Sequence, residues 1–93
     1  MRNEEVEIFS DGPESPILRH PKRKYPGVLI QGDSLHNLTT MADTACFAIE
    51  DGDTERALNL VNELSDILRV HLLDYRKVIT EHGIPLPYQM RQT

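Results

Sequence analysis

The sequence predicts an α+β domain: an antiparallel two-helix hairpin with a small N-terminal β-meander, assembled as an oligomer. Three observations lead there. Apolar residues alternate in short runs bounded by Pro and Gly as far as Gln31, which is strand patterning. From Leu35 onward they recur at helical spacing in two segments, separated only by Glu50-Asp51-Gly52-Asp53. Finally, 93 residues at 39% hydrophobic content and without Trp make a small core, and pairing of subunits is a natural way to bury more surface.

The chain reads as a single domain, with residues 1–31 β-rich, 33–50 a first helix, 53–82 a second and 83–93 an extended tail. Glu5–Phe9 alternates as a strand with Val6 and Ile8 on one face. Ser10–Pro13 is turn chemistry in which Gly12 can take positive φ. Ile17–Arg19 is fenced by Pro16 and Pro21 and is expected as an edge strand. Val28–Gln31 completes the set. Three short strands need a partner to lie on.

Helices supply that partner. Leu35, Leu38, Ala42, Ala45 and Ile49 step by three and four, with Asp33 or Ser34 placed to cap the free amides. Gly52 suits the left-handed position after the helix, and Asp53 or Thr54 caps the next one. So short a connection makes the helices antiparallel. The second helix carries a heptad of Ala57, Val61, Leu64, Leu68, His71, Tyr75, Val78 and His82, widened by Leu60, Ile67 and Leu72. Gly83-Ile84-Pro85 is its stop.

At 1.5 Å per residue the second helix spans about 45 Å against roughly 25 Å for the first. The excess includes Val70–His82, where Val70 and Leu73 project off the main stripe. A segment apolar on several faces is buried on several faces, by the strands and by a second subunit. Val70, Leu73 and Tyr75, with Phe47 on the polar side of the first helix, are the expected interface.

Fifteen acidic against ten basic residues argue against DNA or RNA binding. No run is long enough to span a membrane, and no secretory signal is visible. A single cysteine, Cys46, excludes an internal disulfide and suits the cytoplasm; it borders the apolar stripe and is expected to be packed. His71 and His82 lie on the stripe about three turns apart, too far to share a metal, and are expected as packed histidines. Asp51 and Asp53 are turn residues without enough further oxygens for calcium. No metal and no cofactor are expected.

Two features remain as a candidate site. Gln31, Gly32, Asp33 and Ser34 lie at a strand-to-helix junction, where free amides and the helix dipole attract anions. Arg19, Lys22, Arg23, Lys24 and Tyr25 form a basic block just upstream that could fold over it. The plainer alternative is that Asp33 caps the helix and Gly32 permits the turn.

Val28–Gln31 followed by Gly32-Asp33-Ser34-Leu35 also resembles the nucleophile block of the GDSL esterase/lipase family, which implies an attacking Ser34. That chemistry needs a base, which the family takes from a late Asp-x-x-His element. Here the sole Asp-x-x-His runs from Asp33 to His36 and overlaps the block itself. An enzyme is not expected.

Glu5–Phe9, Tyr25–Val28, Gln31–Leu35 and His82–Tyr88 together resemble a family of small uncharacterised bacterial proteins catalogued as a domain of unknown function. The resemblance covers nearly the whole chain and implies a bacterial or phage origin, but no activity. The leading expectation is an oligomeric, non-enzymatic protein that captures a small anionic ligand, such as a signalling nucleotide, in pockets at subunit boundaries. The alternative is a module that binds a protein partner, such as an immunity protein or inhibitor; an esterase ranks third.

Overall fold

The computed structural model describes residues 1–12 and 15–90. Pro13 of the expected turn and the last three residues of the expected tail lie outside them. The elements are β1 (Glu7–Ser10), β2 (Ile17–Arg19), β3 (Gly27–Val28), α1 (Gly32–Glu50) and α2 (Thr54–Glu81). The fold is α+β as expected: two helices and a three-stranded antiparallel meander in the order β1-β2-β3. Contacts divide the chain into two compact units, Met1–Leu29 with the segment from His71, and Ile30–Val70.

In the first unit β2 is the central strand, not an edge. Pro16 and Pro21 fall just outside its three residues, so Ile17, Leu18 and Arg19 keep their amides for both neighbours. Ile17 pairs with Ser10 and Val28, and Leu18 with Ile8 and Gly27. The third strand is shorter than the expected Val28–Gln31. The amide of Leu29 still donates to the Pro16 carbonyl at 2.9 Å, but Pro16 has no amide to return, and the ladder ends.

The face of β1 is also the reverse of expectation. Val6 and Ile8 are exposed, while Phe9 packs on the core, next to an irregularity in the register between Ile8 and Ser10. Gly12 does not use positive φ; its amide donates to Ser10 Oγ at 3.0 Å. The core consists of Ile17, Tyr75, Val78 and Ile79, with Phe9, Val28, Ile84 and Leu86 against it. Thus the sheet and the tail both pack on the C-terminal part of α2. Tyr75, expected at the interface, is only 6% exposed and packs in this core instead. Its hydroxyl donates to the Pro26 carbonyl at 2.8 Å.

Both helices stop where the glycines predict. Gly52 and Gly83 have φ of +78° and +71°. Around each, two amides turn back: Gly52 to Ile49 and Asp53 to Ala48, then Gly83 to Thr80 and Ile84 to Ile79. This double return satisfies carbonyls that a helix end would leave bare. In the second case the apolar residue after the glycine, Ile84, also joins the core.

The second unit holds α1 and the N-terminal part of α2. Asp53 caps α2, its Oδ1 accepting from the amide of Arg56 at 3.1 Å. The cap of α1 is Gln31, not Asp33 or Ser34, and its side chain makes no capping bond. The buried residues here are the alanines Ala45, Ala48 and Ala57. The inward stripe of α2 follows Ala57, Leu60, Leu64 and Ile67, whereas Val61 and Leu68 of the expected heptad are exposed. Cys46, expected to be packed, is exposed as well.

Candidate functional site

The basic block belongs to the first unit and begins at the end of β2. A turn closes it, with the Arg23 amide donating to the His20 carbonyl at 2.9 Å. Its cations have different employments. Arg19 makes a two-pronged pair with Glu7 across the β1–β2 ladder, Nε to Oε1 at 2.8 Å and Nη2 to Oε2 at 3.0 Å. Its Nη1 also donates to the Lys24 carbonyl at 3.3 Å, and its guanidinium lies 5.5 Å from the Phe9 ring centre. Arg19 therefore positions the loop. Lys24 Nζ sits 5.3 Å from the Tyr25 ring centre. Among the described residues, the side chains of Lys22 and Arg23 have no acidic partner.

Beside this loop lies an open depression of about 310 Å³. Leu18, Val28 and Leu29 give it an apolar floor, and His20, Arg23 and Tyr25 supply its polar groups. His20 Nδ1 accepts from the Lys22 amide at 3.2 Å. In the neutral ring that bond leaves the proton on Nε2, which is then a hydrogen-bond donor. His20 was not among the expected ligand-binding residues. Its signal is the spacing to Arg23, one turn apart around Pro21-Lys22.

Gln31, Gly32, Asp33 and Ser34 belong to the second unit, and all four are exposed. Asp33 Oδ1 accepts from the Ser34 amide at 2.8 Å, so a carboxylate of the chain itself occupies one first-turn donor. Ser34 has no described hydrogen bond from a histidine to its hydroxyl. Phe47 is exposed on α1, and Val70 and Leu73 are exposed on α2.

The two stripe histidines have separate roles. His71 Nδ1 lies 3.2 Å from Ser15 Oγ. His82 Nδ1 is 2.9 Å from the Val78 carbonyl, which can only accept, so this nitrogen carries the proton. The His82 ring meets Phe9 edge-on at 5.2 Å. Among the described residues no group of three His, Cys, Asp or Glu side chains is arranged to hold a metal. No described helix is long and apolar enough to cross a membrane.

The chain belongs to a family of unknown function (DUF6959), whose profile matches residues 1–88. No curated protein and no solved structure matches it.

Proposed function

We propose, for this member of a family without an assigned activity, that the chain binds a small amphiphilic anion in the depression beside residues 20–25. The observation that carries the reading is Arg23: a guanidinium without an acidic partner among the described residues, lining an apolar-floored hollow with His20 and Tyr25. Arg23 and the His20 Nε2–H would hold the negative group, since Arg presents paired donors that match a phosphate or carboxylate. Leu18, Val28 and Leu29 would take a planar or aliphatic part. The hollow lies near the lower end of ligand-pocket volumes, which favours a mononucleotide or an aryl carboxylate over anything larger.

This narrows the anion reading to the basic loop and makes it independent of a subunit boundary. The Gly32–Ser34 junction is left out of this reading, because Asp33 already occupies the Ser34 amide and repels a second negative charge. The reading is of a non-enzymatic protein acting in the cytoplasm.

A thermal-shift panel of inorganic phosphate, nucleoside monophosphates and aryl carboxylates tests it. Saturation at a hundred times the dissociation constant adds about 2.7 kcal/mol of stability, several degrees for a domain of this size. A shift with nucleotide or aryl carboxylate larger than with phosphate is expected; no shift across the panel removes the proposal.

A further inference from the structure

The unit Ile30–Val70 lacks a core of large side chains. Its buried residues are three alanines, Ala45, Ala48 and Ala57. With Leu38, Leu60, Leu64 and Ile67 only half-buried, such a unit buries little apolar surface, and small units of this kind need a further layer. Further large apolar residues lie on the outside. On α1 Leu35 and Ile49 are exposed, with Cys46 beside them and Leu38 and Ala42 half-buried between. On α2 Leu58, Val61 and Leu68 are exposed.

Their placement follows from helix geometry. At about 100° per residue, both exposed sets lie roughly a quarter-turn from the buried stripe of their helix, in the same rotational sense. For antiparallel neighbours, equal offsets in the same sense bring both sets to one face of the pair. On α2 the polar position within the set is Ser65, whose Oγ accepts from Arg69 Nη2 at 3.4 Å, so the Arg69 guanidinium borders the face. Phe47 lies on the outer side of α1, away from it.

We infer that this face is the contact between two copies of the chain, closing the hairpins into a four-helix arrangement about a two-fold axis. The area decides for a second copy. The five large side chains are each 47–60% exposed, and together offer about 500 Å² per copy, or about 1,000 Å² for a pair. Complete burial of these five would reach the lower limit of specific interfaces before Leu38, Ala42 and Cys46 are counted. The need is also permanent, because the hairpin's large inward side chains, Leu38, Leu60, Leu64 and Ile67, are only half-buried. Another copy is the one partner present wherever the chain is, and one self-complementary patch serves both members of such a pair. Leu–Leu contacts across two hairpins are the ordinary packing of four-helix bundles.

Sedimentation equilibrium of the purified chain over a wide concentration range, with Leu68→Glu and Leu73→Glu beside it, tests the inference. The expected results are a mass of twice 10.6 kDa for the wild type, a monomer for Leu68→Glu, and an unchanged dimer for Leu73→Glu, whose side chain projects elsewhere. A wild type that is monomeric at a hundred micromolar overturns it and leaves the face to another protein. So does a trimer or larger assembly, or a dimer that survives Leu68→Glu but not Leu73→Glu. Should Leu68→Glu lose its helical circular dichroism, the wild type decides. A melting temperature rising with protein concentration, retained in Leu73→Glu, supports the pairing, and a concentration-independent one overturns it.

Discussion

The hydroxyl of Tyr75, in the C-terminal third of α2, donates to the backbone carbonyl of Pro26 at 2.8 Å. This bond ties the end of the basic loop to the helix on which the sheet rests. Pro26 is itself buried, so its carbonyl has little water to fall back on. Tyr75→Phe removes the donor and leaves that acceptor bare, at a cost of about 1–3 kcal/mol. The denaturant midpoint should fall while the slope of the transition stays the same.

Alkaline pH should report on the same contact. Burial, and then the charge of the nearby Tyr88 phenolate, raise the Tyr75 pKa above its ordinary 10.0. The unfolded chain therefore releases this proton first, near pH 10, while the folded chain retains it. Stability contributed by Tyr75 is complete below pH 10 and declines as pH rises toward the higher folded value. In Tyr75→Phe this share of the alkaline decline should vanish, which a series of urea melts from pH 8 to pH 11 would detect.

Gly83 carries a different load. At φ of +71° a side chain is strained, although nothing would touch the added Cβ. Gly83→Ala should cost about 1–2 kcal/mol from backbone conformation alone, lowering the melting temperature by several degrees. Gly52→Ala, at +78°, should behave alike. If either variant melts with the wild type, the left-handed helix stops are not structural determinants.

These helix ends were legible because their chemistry is local: Gly52, Asp53, Gly83 and Ile84 each act within a few residues of their own position. The hairpin and the meander followed from period and punctuation for the same reason. What the pattern misplaced depends on partners distant in sequence. Phe9 turns inward because the α2 core receives it, so Val6 and Ile8 are left outside, although alternation alone cannot say which face is wanted. The central place of β2 depends on both its neighbours. On α2 two overlapping stripes fit the sequence, and the one through Leu60 and Ile67 is the less exposed. The basic block was visible as composition. Which of its cations is already spent was not, because Glu7 reaches Arg19 across the ladder from twelve residues away.

Ser34→Ala should leave hydrolysis of short p-nitrophenyl esters at background, as in the wild type. Ser34 lies exposed in the first turn of α1 with its amide held by Asp33, and no described hydrogen bond links its hydroxyl to a histidine. A hundredfold loss of a measurable turnover would show that the hydroxyl is a nucleophile after all.

Under the proposed function Arg23 is a cation held for an external anion, whereas Arg19 is consumed by Glu7. Calorimetric titration of a nucleoside monophosphate into wild type, Arg23→Glu and, as an exposed control on α2, Arg69→Glu compares them directly. A charge-assisted contact contributes about 1.5–3 kcal/mol, so Arg23→Glu should weaken binding roughly ten- to a hundredfold and flatten its dependence on salt. Arg69→Glu should change it little. Equal affinity in all three proteins, or no heat of binding in the wild type, would contradict that role for Arg23.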